Sequence, residues 1–69
     1  MNIFAIRLKE LRTEKGLTLK QLSASLGMPL MTYANYEQGK REPSLDTLRL
    51  LCRFYDVTSD YLLGLSDSY

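Results

Sequence analysis

Apolar residues recur along the chain at the spacing of helix faces, and no stretch indicates a strand. The first apolar set follows the i, i+4, i+7 pattern of one helix face and consists of Phe4, Leu8 and Leu11. Asn2 can cap this helix with its side chain, and Gly16 can take the left-handed conformation that ends it. The pattern therefore predicts a first helix over residues 3–15.

Two shorter apolar stretches follow, separated by one glycine. Thr18 and Gln21 have the spacing of a capping box, in which each side chain accepts a hydrogen bond from the other's backbone N–H. This predicts a second helix that ends near Leu26, with Leu22 and Leu26 facing inward. Gly27 leaves a turn so short that the next helix must follow at a steep angle.

The second half of the chain predicts three more helices. Pro29 suits the first position of a third helix because its missing N–H would be unpaired there anyway, and this helix ends near Gln38, before Gly39. Ser44 and Thr58 can cap a fourth and a fifth helix. The fourth carries Leu45, Leu48, Leu51, Cys52 and Tyr55, and the fifth ends at Leu63, before Gly64. The predicted fold class is an all-α bundle of five helices.

Composition narrows the class of protein. The 69 residues leave room for one small domain, predicted over residues 1–69, and 45% of them are hydrophobic while 25% are charged. No apolar run approaches the roughly 18 residues needed to cross a membrane, so we expect a cytoplasmic protein with no membrane partner. The chain has one cysteine and no histidine, which removes an internal disulfide and the common sets of metal ligands. We expect no metal, no cofactor and no small-molecule ligand.

The same residues argue against catalysis. Cys52 falls on the predicted inner face of the fourth helix, and without histidine it has no evident base beside it. No pair of carboxylates has a spacing that suggests acid–base chemistry. We therefore predict that the chain is not an enzyme. A domain that binds nucleic acid and a module that binds another protein remain.

Basic residues are unevenly placed, although the net charge of +1 says little by itself. Most lie in the first two-thirds of the chain, whereas three aspartates come late. The early basic set consists of Arg7, Lys9, Arg12, Lys15, Lys20, Lys40 and Arg41. Solvated helix faces explain such a pattern about as well as an anionic partner does.

The sequence resembles the helix-turn-helix family of phage repressors and Cro proteins, the XRE family of transcriptional regulators. The resemblance lies in the runs "LTLKQLSASLG" and "TYANYEQGKREPSLDTLRLLCRFYDVTSDYLLGLSD" and covers nearly the whole chain. It implies a compact five-helix bundle of the λ-repressor-like fold, whose second and third helices bind double-stranded DNA. It further implies a transcriptional regulator, expected to be a repressor, whose third helix enters the major groove.

The third helix is the expected reader of base edges, although residues 27–38 contain no lysine or arginine. Because Tyr33 and Tyr36 are expected to turn inward, the 3.6-residue period predicts an outer, base-contacting arc of Leu30, Met31, Thr32, Ala34, Asn35 and Gln38. Asn35 is the expected main reader, since its amide pairs best with adenine, and Thr32 can also hydrogen-bond a base. The apolar members can contact only a thymine methyl, or instead form part of a protein-binding face.

Phosphate contacts are expected from Lys40 and Arg41, which follow the third helix where matching family members touch the DNA backbone. Lys20 is a lesser candidate. Leu19 stands where the family commonly has glutamine, so one expected phosphate contact is missing. Simple solvation of the basic loop is the alternative.

An ion pair is expected between Arg12 and Glu37, at family positions that face each other across the bundle. Glu37 lies near a helix C-terminus, where a negative charge opposes the helix dipole and so needs a partner. We expect the pair to be largely buried, to set the angle of the third helix and to make no DNA contact. Tyr33 departs from the family's usual isoleucine or valine, so its hydroxyl must reach solvent or find a partner at the bundle edge.

A homodimer on a near-palindromic site is expected, because one helix-turn-helix offers a small footprint. The expected interface consists of Leu62, Leu63, Leu65 and Tyr69, although the first two could instead belong to the core. The competing hypothesis is a protein-interaction module of the same fold with weak or no DNA binding. The apolar start of the third helix supports that reading.

Overall fold

Five α-helices and no strand make up the regular structure of residues 2–69, the part of the chain that the computed structural model describes. Met1, the first residue of the predicted domain, lies outside the described residues. The helices are α1 (Ile3–Glu14), α2 (Leu19–Leu26), α3 (Leu30–Glu37), α4 (Leu45–Tyr55) and α5 (Ser59–Leu63). The predicted all-α fold class with five helices is confirmed.

Local capping explains where four of the five helices begin. The Asn2 side chain accepts a hydrogen bond of 2.7 Å from the backbone N–H of Ala5. Thr18 and Gln21 form the predicted capping box, with bonds of 2.9 and 3.1 Å. Ser44 and Thr58 likewise accept a backbone N–H at the starts of α4 and α5. Each cap pairs one of the backbone donors that a helix start leaves free.

The start of α3 differs from the prediction. Pro29 is the residue before the helix, with φ −60° and ψ 145°, and not its first helical residue. Its carbonyl accepts hydrogen bonds of 3.1 and 3.3 Å from the backbone N–H groups of Thr32 and Tyr33. The proline ring fixes φ but leaves ψ free, and the change of direction that begins at Gly27 is completed by this extended ψ. No side chain of the described residues caps α3.

Gly27 makes the turn between α2 and α3 possible. Its φ is 70°, in the left-handed region, and its N–H bonds to carbonyls of the last turn of α2. A Cβ at this position would meet no other atom within 4 Å. The requirement for glycine is therefore the backbone conformation itself, which L-residues with a side chain rarely adopt.

One hydrophobic core takes side chains from all five helices. Its buried members are Phe4, Leu8, Leu11, Leu22, Tyr33, Tyr36, Leu51, Tyr55, Val57, Tyr61 and Leu62. Leu26 is partly buried against this cluster, while Leu45, counted among the apolar positions of α4, is exposed. The Cα radius of gyration is 10.8 Å, close to the roughly 11 Å expected for a compact domain of this length.

Within residues 2–69, none of the five helices has the length and apolar character that crossing a bilayer requires. Helix α3 packs against α1 and α2, while α5 packs against α1 and α4. This arrangement leaves one side of α3 uncovered, and that side is a candidate binding surface.

Candidate nucleic-acid interface

The uncovered side of α3 presents a mixed polar and apolar surface. Leu30 and Met31 are 42% and 62% exposed, and Gln38 is exposed just beyond the helix. Thr32 and Asn35 are half-buried, so their side chains are accessible in part. Five of the six residues predicted on the outer arc therefore have accessible surface.

Ala34 is the exception, and its predicted place on the outer arc is wrong. It is only 4% exposed and lies on the buried side of α3 with Tyr33 and Tyr36. The two tyrosines alone suggested a narrow inner arc. Because α3 packs against both α1 and α2, the covered arc is wider and includes the residue next to Tyr33. Ala34 is thus removed from the set of candidate base contacts.

The three candidate phosphate-binding residues lie on either side of α3 in the sequence and are all exposed. Lys20 is in the first turn of α2, and Lys40 and Arg41 lie in the loop after α3. The backbone N–H of Lys40 donates a hydrogen bond of 2.9 Å to the carbonyl of Asn35, which ties the start of this loop to the helix. Within residues 2–69 none of the three pairs with a carboxylate, so their charges are available to an anionic partner.

Arg12 and Glu37 form a two-pronged ion pair beneath α3. The Nε and Nη2 atoms of Arg12 donate to the two carboxylate oxygens of Glu37 at 2.8 and 3.1 Å. Nη1 of Arg12 donates to the carbonyl of Leu17 at 2.9 Å. The side chains are 16% and 5% exposed respectively. The hydrogen bond to Glu37 raises the pKa of Arg12, against the opposing effect of burial. The pair joins α1, the α1–α2 turn and the end of α3.

A family model described as "Helix-turn-helix" matches residues 8–62 of this chain. The match includes α2, the turn at Gly27 and α3. The chain belongs to the helix-turn-helix family.

Several curated proteins are similar to this helix-turn-helix chain. The uncharacterized HTH-type transcriptional regulator YobD of Bacillus subtilis strain 168 is 42% identical over 94% of this chain and 58% of its own length. The HTH-type transcriptional regulator AnsR of the same organism is 47% identical over 84% of the chain and 50% of its own length. The cryptic phage CTXphi transcriptional repressor RstR of Vibrio cholerae is 30% identical over 96% of the chain and 60% of its own length. This chain therefore spans little more than half the length of these relatives.

The core of this helix-turn-helix domain contains a polar contact that sequence reasoning missed. The hydroxyls of Tyr33 on α3 and Tyr55 on α4 share a hydrogen bond of 2.8 Å in which either can donate. Both rings are buried, so the partner of Tyr33 lies inside the core and not at the bundle edge. A signal was present in the sequence, since Tyr33 was expected to turn inward, Tyr55 follows the apolar positions of the fourth helix, and two buried hydroxyls each need a partner.

Arg7 is a second residue whose role sequence reasoning missed. It was counted among the basic residues, but its guanidinium lies 4.1 Å from the centre of the Tyr61 ring. It donates to the carbonyls of Tyr61 and Ser66 and to the carboxylate of Asp67, the last at 3.1 Å. These contacts hold the segment after α5 against α1. Arg7 is therefore committed to the fold and is not an available basic residue.

The residues predicted to form a dimer interface fall into two groups. Leu62 is fully buried in the core, which was the alternative left open for it, so it is not available to an interface. Leu63, Leu65 and Tyr69 are exposed. The Tyr69 ring also packs edge-on against Tyr61 at a centroid distance of 4.7 Å. Any interface at this end would use the exposed three.

Among residues 2–69, no group of three or more acidic or cysteine side chains could hold a metal ion. Cys52 is half-buried, and burial raises the pKa of its thiol. A raised pKa disfavours the thiolate, which is the nucleophilic form of cysteine.

Proposed function

We propose that this chain binds double-stranded DNA at specific sequences and regulates transcription, with α3 in the major groove. The observation that carries the proposal is the helix-turn-helix of α2 and α3. One side of α3 is uncovered, and the exposed basic residues before and after it have no carboxylate partner among residues 2–69. In this motif the second helix presents its side chains to base edges. Repression is the proposed action, because a protein bound at a promoter can block polymerase without contacting it.

Base reading is assigned to the accessible residues of α3. Asn35 is the proposed main reader, since an amide can pair with both N6 and N7 of adenine. Thr32 and Gln38 can hydrogen-bond neighbouring bases, while Leu30 and Met31 can contact thymine methyl groups. These residue types together favour a site rich in A and T.

Affinity without sequence preference is assigned to Lys20, Lys40 and Arg41. Each is exposed and has no carboxylate partner within the described part of the chain. Contacts of this kind neutralise phosphates and release counterions, so they strengthen binding to every duplex and make it depend on salt. Arg12 and Glu37 are not among the proposed phosphate-binding residues, because their charges pair with each other.

We further propose that the domain, assigned to residues 1–69, works in the cytoplasm as a homodimer on a near-palindromic site. A single helix-turn-helix makes few contacts, and two of them about 34 Å apart read two half-sites. The exposed residues Leu63, Leu65 and Tyr69 are the proposed interface. Sedimentation of the protein with and without its DNA site tests this part, and a monomer under both conditions would contradict it. Catalysis is no part of the proposal.

A protein-interaction module of the same fold is the second candidate. The observation that favours it is the exposure of Leu30 and Met31 at the start of α3, together with the absence of lysine and arginine from residues 27–38. An apolar surface without basic residues is better suited to a protein partner than to phosphates.

Selection of bound sequences from a random duplex pool, followed by titration of the selected and a random duplex, separates the two candidates. We expect the selected duplex to bind at least about a thousandfold more tightly, as is typical of specific DNA-binding proteins. Equal binding of both duplexes, with no effect of an Asn35→Ala change, would reject base reading by α3 and favour the interaction module.

A further inference from the structure

Two polar contacts hold α3 from beneath. One is the ion pair between Arg12 and Glu37, and the other is the hydrogen bond of 2.8 Å between Tyr33 and Tyr55. Burial is the largest cause of the raised pKa of Tyr33, and the hydroxyl of Tyr55 and the carboxylate of Glu37 raise it further. The ion pair joins α3 to α1, and the tyrosine pair joins α3 to α4.

The hydrogen-bonded tyrosine pair tolerates little displacement of α3. Tyr33 is 0% exposed, and a buried hydroxyl is stable only when it keeps its hydrogen bond. An apolar side chain at this position would tolerate small shifts of the helix. A hydrogen bond between two enclosed hydroxyls does not, because its strength falls steeply with distance and angle.

This bond is also the only side-chain hydrogen bond between α3 and α4 that the structure records within residues 2–69. The ion pair holds the C-terminal end of α3 to α1, whereas Tyr33 holds the middle of the helix to α4. Two attachments on different turns restrict both the tilt of α3 and its rotation about its own axis.

Small rotations of α3 matter on its outer side. Side-chain tips lie about 5 to 6 Å from a helix axis, so a rotation of about 10° moves them by about 1 Å. Hydrogen bonds to a base edge tolerate a smaller displacement, since the distance from the donor nitrogen to the acceptor oxygen ranges only from about 2.7 to 3.2 Å. Asn35 is two residues from Tyr33 on the same helix and would lose its alignment with a base.

We propose that Tyr55 is a positioning residue for base reading: its hydroxyl, through Tyr33, fixes the rotation of α3 that aligns Asn35 with the DNA. Tyr55 lies on α4 and is buried, so it touches no DNA itself. The inference rests on the proposed function of α3. It extends that function to a residue outside the helix-turn-helix.

The test compares Tyr55→Phe with the parent in binding to the selected duplex and to a random duplex at one salt concentration. We expect the selected duplex to bind about 5-fold or more weakly, within the discrimination that one good base contact supplies. The random duplex should bind within about 2-fold of the parent, because long, exposed lysine and arginine side chains can still reach a phosphate after a shift of about 1 Å. Tyr61→Phe is the matched control, since it removes the hydroxyl of another buried tyrosine, on α5, which packs against α1 and α4.

A double variant, Tyr33→Phe with Tyr55→Phe, separates positioning from stability. Removing both hydroxyls leaves neither unpaired, so the urea midpoint should return towards that of the parent. Sequence discrimination should stay reduced, because the bond that fixes α3 is still missing. A double variant that regains both stability and discrimination would overturn the proposal, as would a Tyr55→Phe variant with the parent's discrimination.

Residual dipolar couplings of backbone amides in the free protein provide a readout that needs no DNA. We expect the couplings of α3 in Tyr55→Phe to indicate a changed orientation relative to α4, with those of α1 and α5 unchanged. Unchanged couplings in α3 would reject the positioning role even if DNA binding fell. A parent protein that fails to distinguish the selected duplex, with couplings that respond as expected, would instead reject the proposed function.

Discussion

Replacing Arg12 with alanine is expected to destabilise the protein severely. The change removes the two hydrogen bonds to the Glu37 carboxylate and the one to the Leu17 carbonyl. It leaves a carboxylate that is only 5% exposed without a counter-charge. Removing one partner of a buried pair costs about 3 to 5 kcal/mol. A domain of this length has a total stability of about 3 to 10 kcal/mol, so the variant should be close to unfolding at room temperature.

Urea denaturation followed by far-ultraviolet circular dichroism measures this loss. With a slope of about 1 kcal/mol per molar for a small domain, a loss of 3 kcal/mol lowers the midpoint by about 3 M. Arg49→Ala is the control, because its ion pair with Asp46 is exposed and such pairs contribute less than about 1 kcal/mol.

A double variant tests the reason for the loss. Replacing Arg12 with methionine and Glu37 with leucine removes both charges and fills their space with apolar atoms, which is often neutral or stabilising in buried pairs. We therefore expect the double variant to be more stable than Arg12→Ala. A midpoint for Arg12→Ala within about 0.5 M of the parent would refute the reasoning, since a 0.5 M shift corresponds to only about 0.5 kcal/mol.

Three further predictions concern the DNA surface, alkaline pH and the turn. Asn35→Ala should lose about 1 to 3 kcal/mol of binding free energy at one base position only. Lys40→Ala should weaken binding to all duplexes alike and lower the slope of log affinity against log salt by about one. Salt titrations on duplexes with single base-pair changes test both expectations. Burial raises the pKa of Tyr55 to about 12 from its ordinary 10.0, so the contribution of Tyr55 to folding stability should be fully present below pH 10 and be lost between pH 10 and 12, because this tyrosine ionises first in the unfolded chain. Urea midpoints that stay level across that range would contradict this. Gly27→Ala should cost about 1 to 2 kcal/mol from its left-handed φ alone, and an unchanged melting temperature would argue against that strain.

The helix boundaries could be predicted from the sequence because they depend on near neighbours. A capping box needs only two side chains three residues apart, and Thr18 and Gln21 form it as predicted. A left-handed glycine such as Gly27 ends a helix through hydrogen bonds to the preceding turn. Pro29 lies one residue before α3 and was predicted to be its first residue. The difference arises because the ψ of Pro29 is set by the direction of the whole turn.

The sequence by itself also determined which residues can carry charge or read a base, because residue type sets that chemistry. Only the tertiary structure decided which of them are free to do so. Ala34 is covered because two helices pack against α3. Arg7 is unavailable to an anionic partner because the segment after α5 folds onto it. The partner of Tyr33 comes from a residue 22 positions away. Helical periodicity predicts the direction in which a side chain points from the axis of its helix. Whether that side chain is buried or paired depends on which other helices and segments pack against that side.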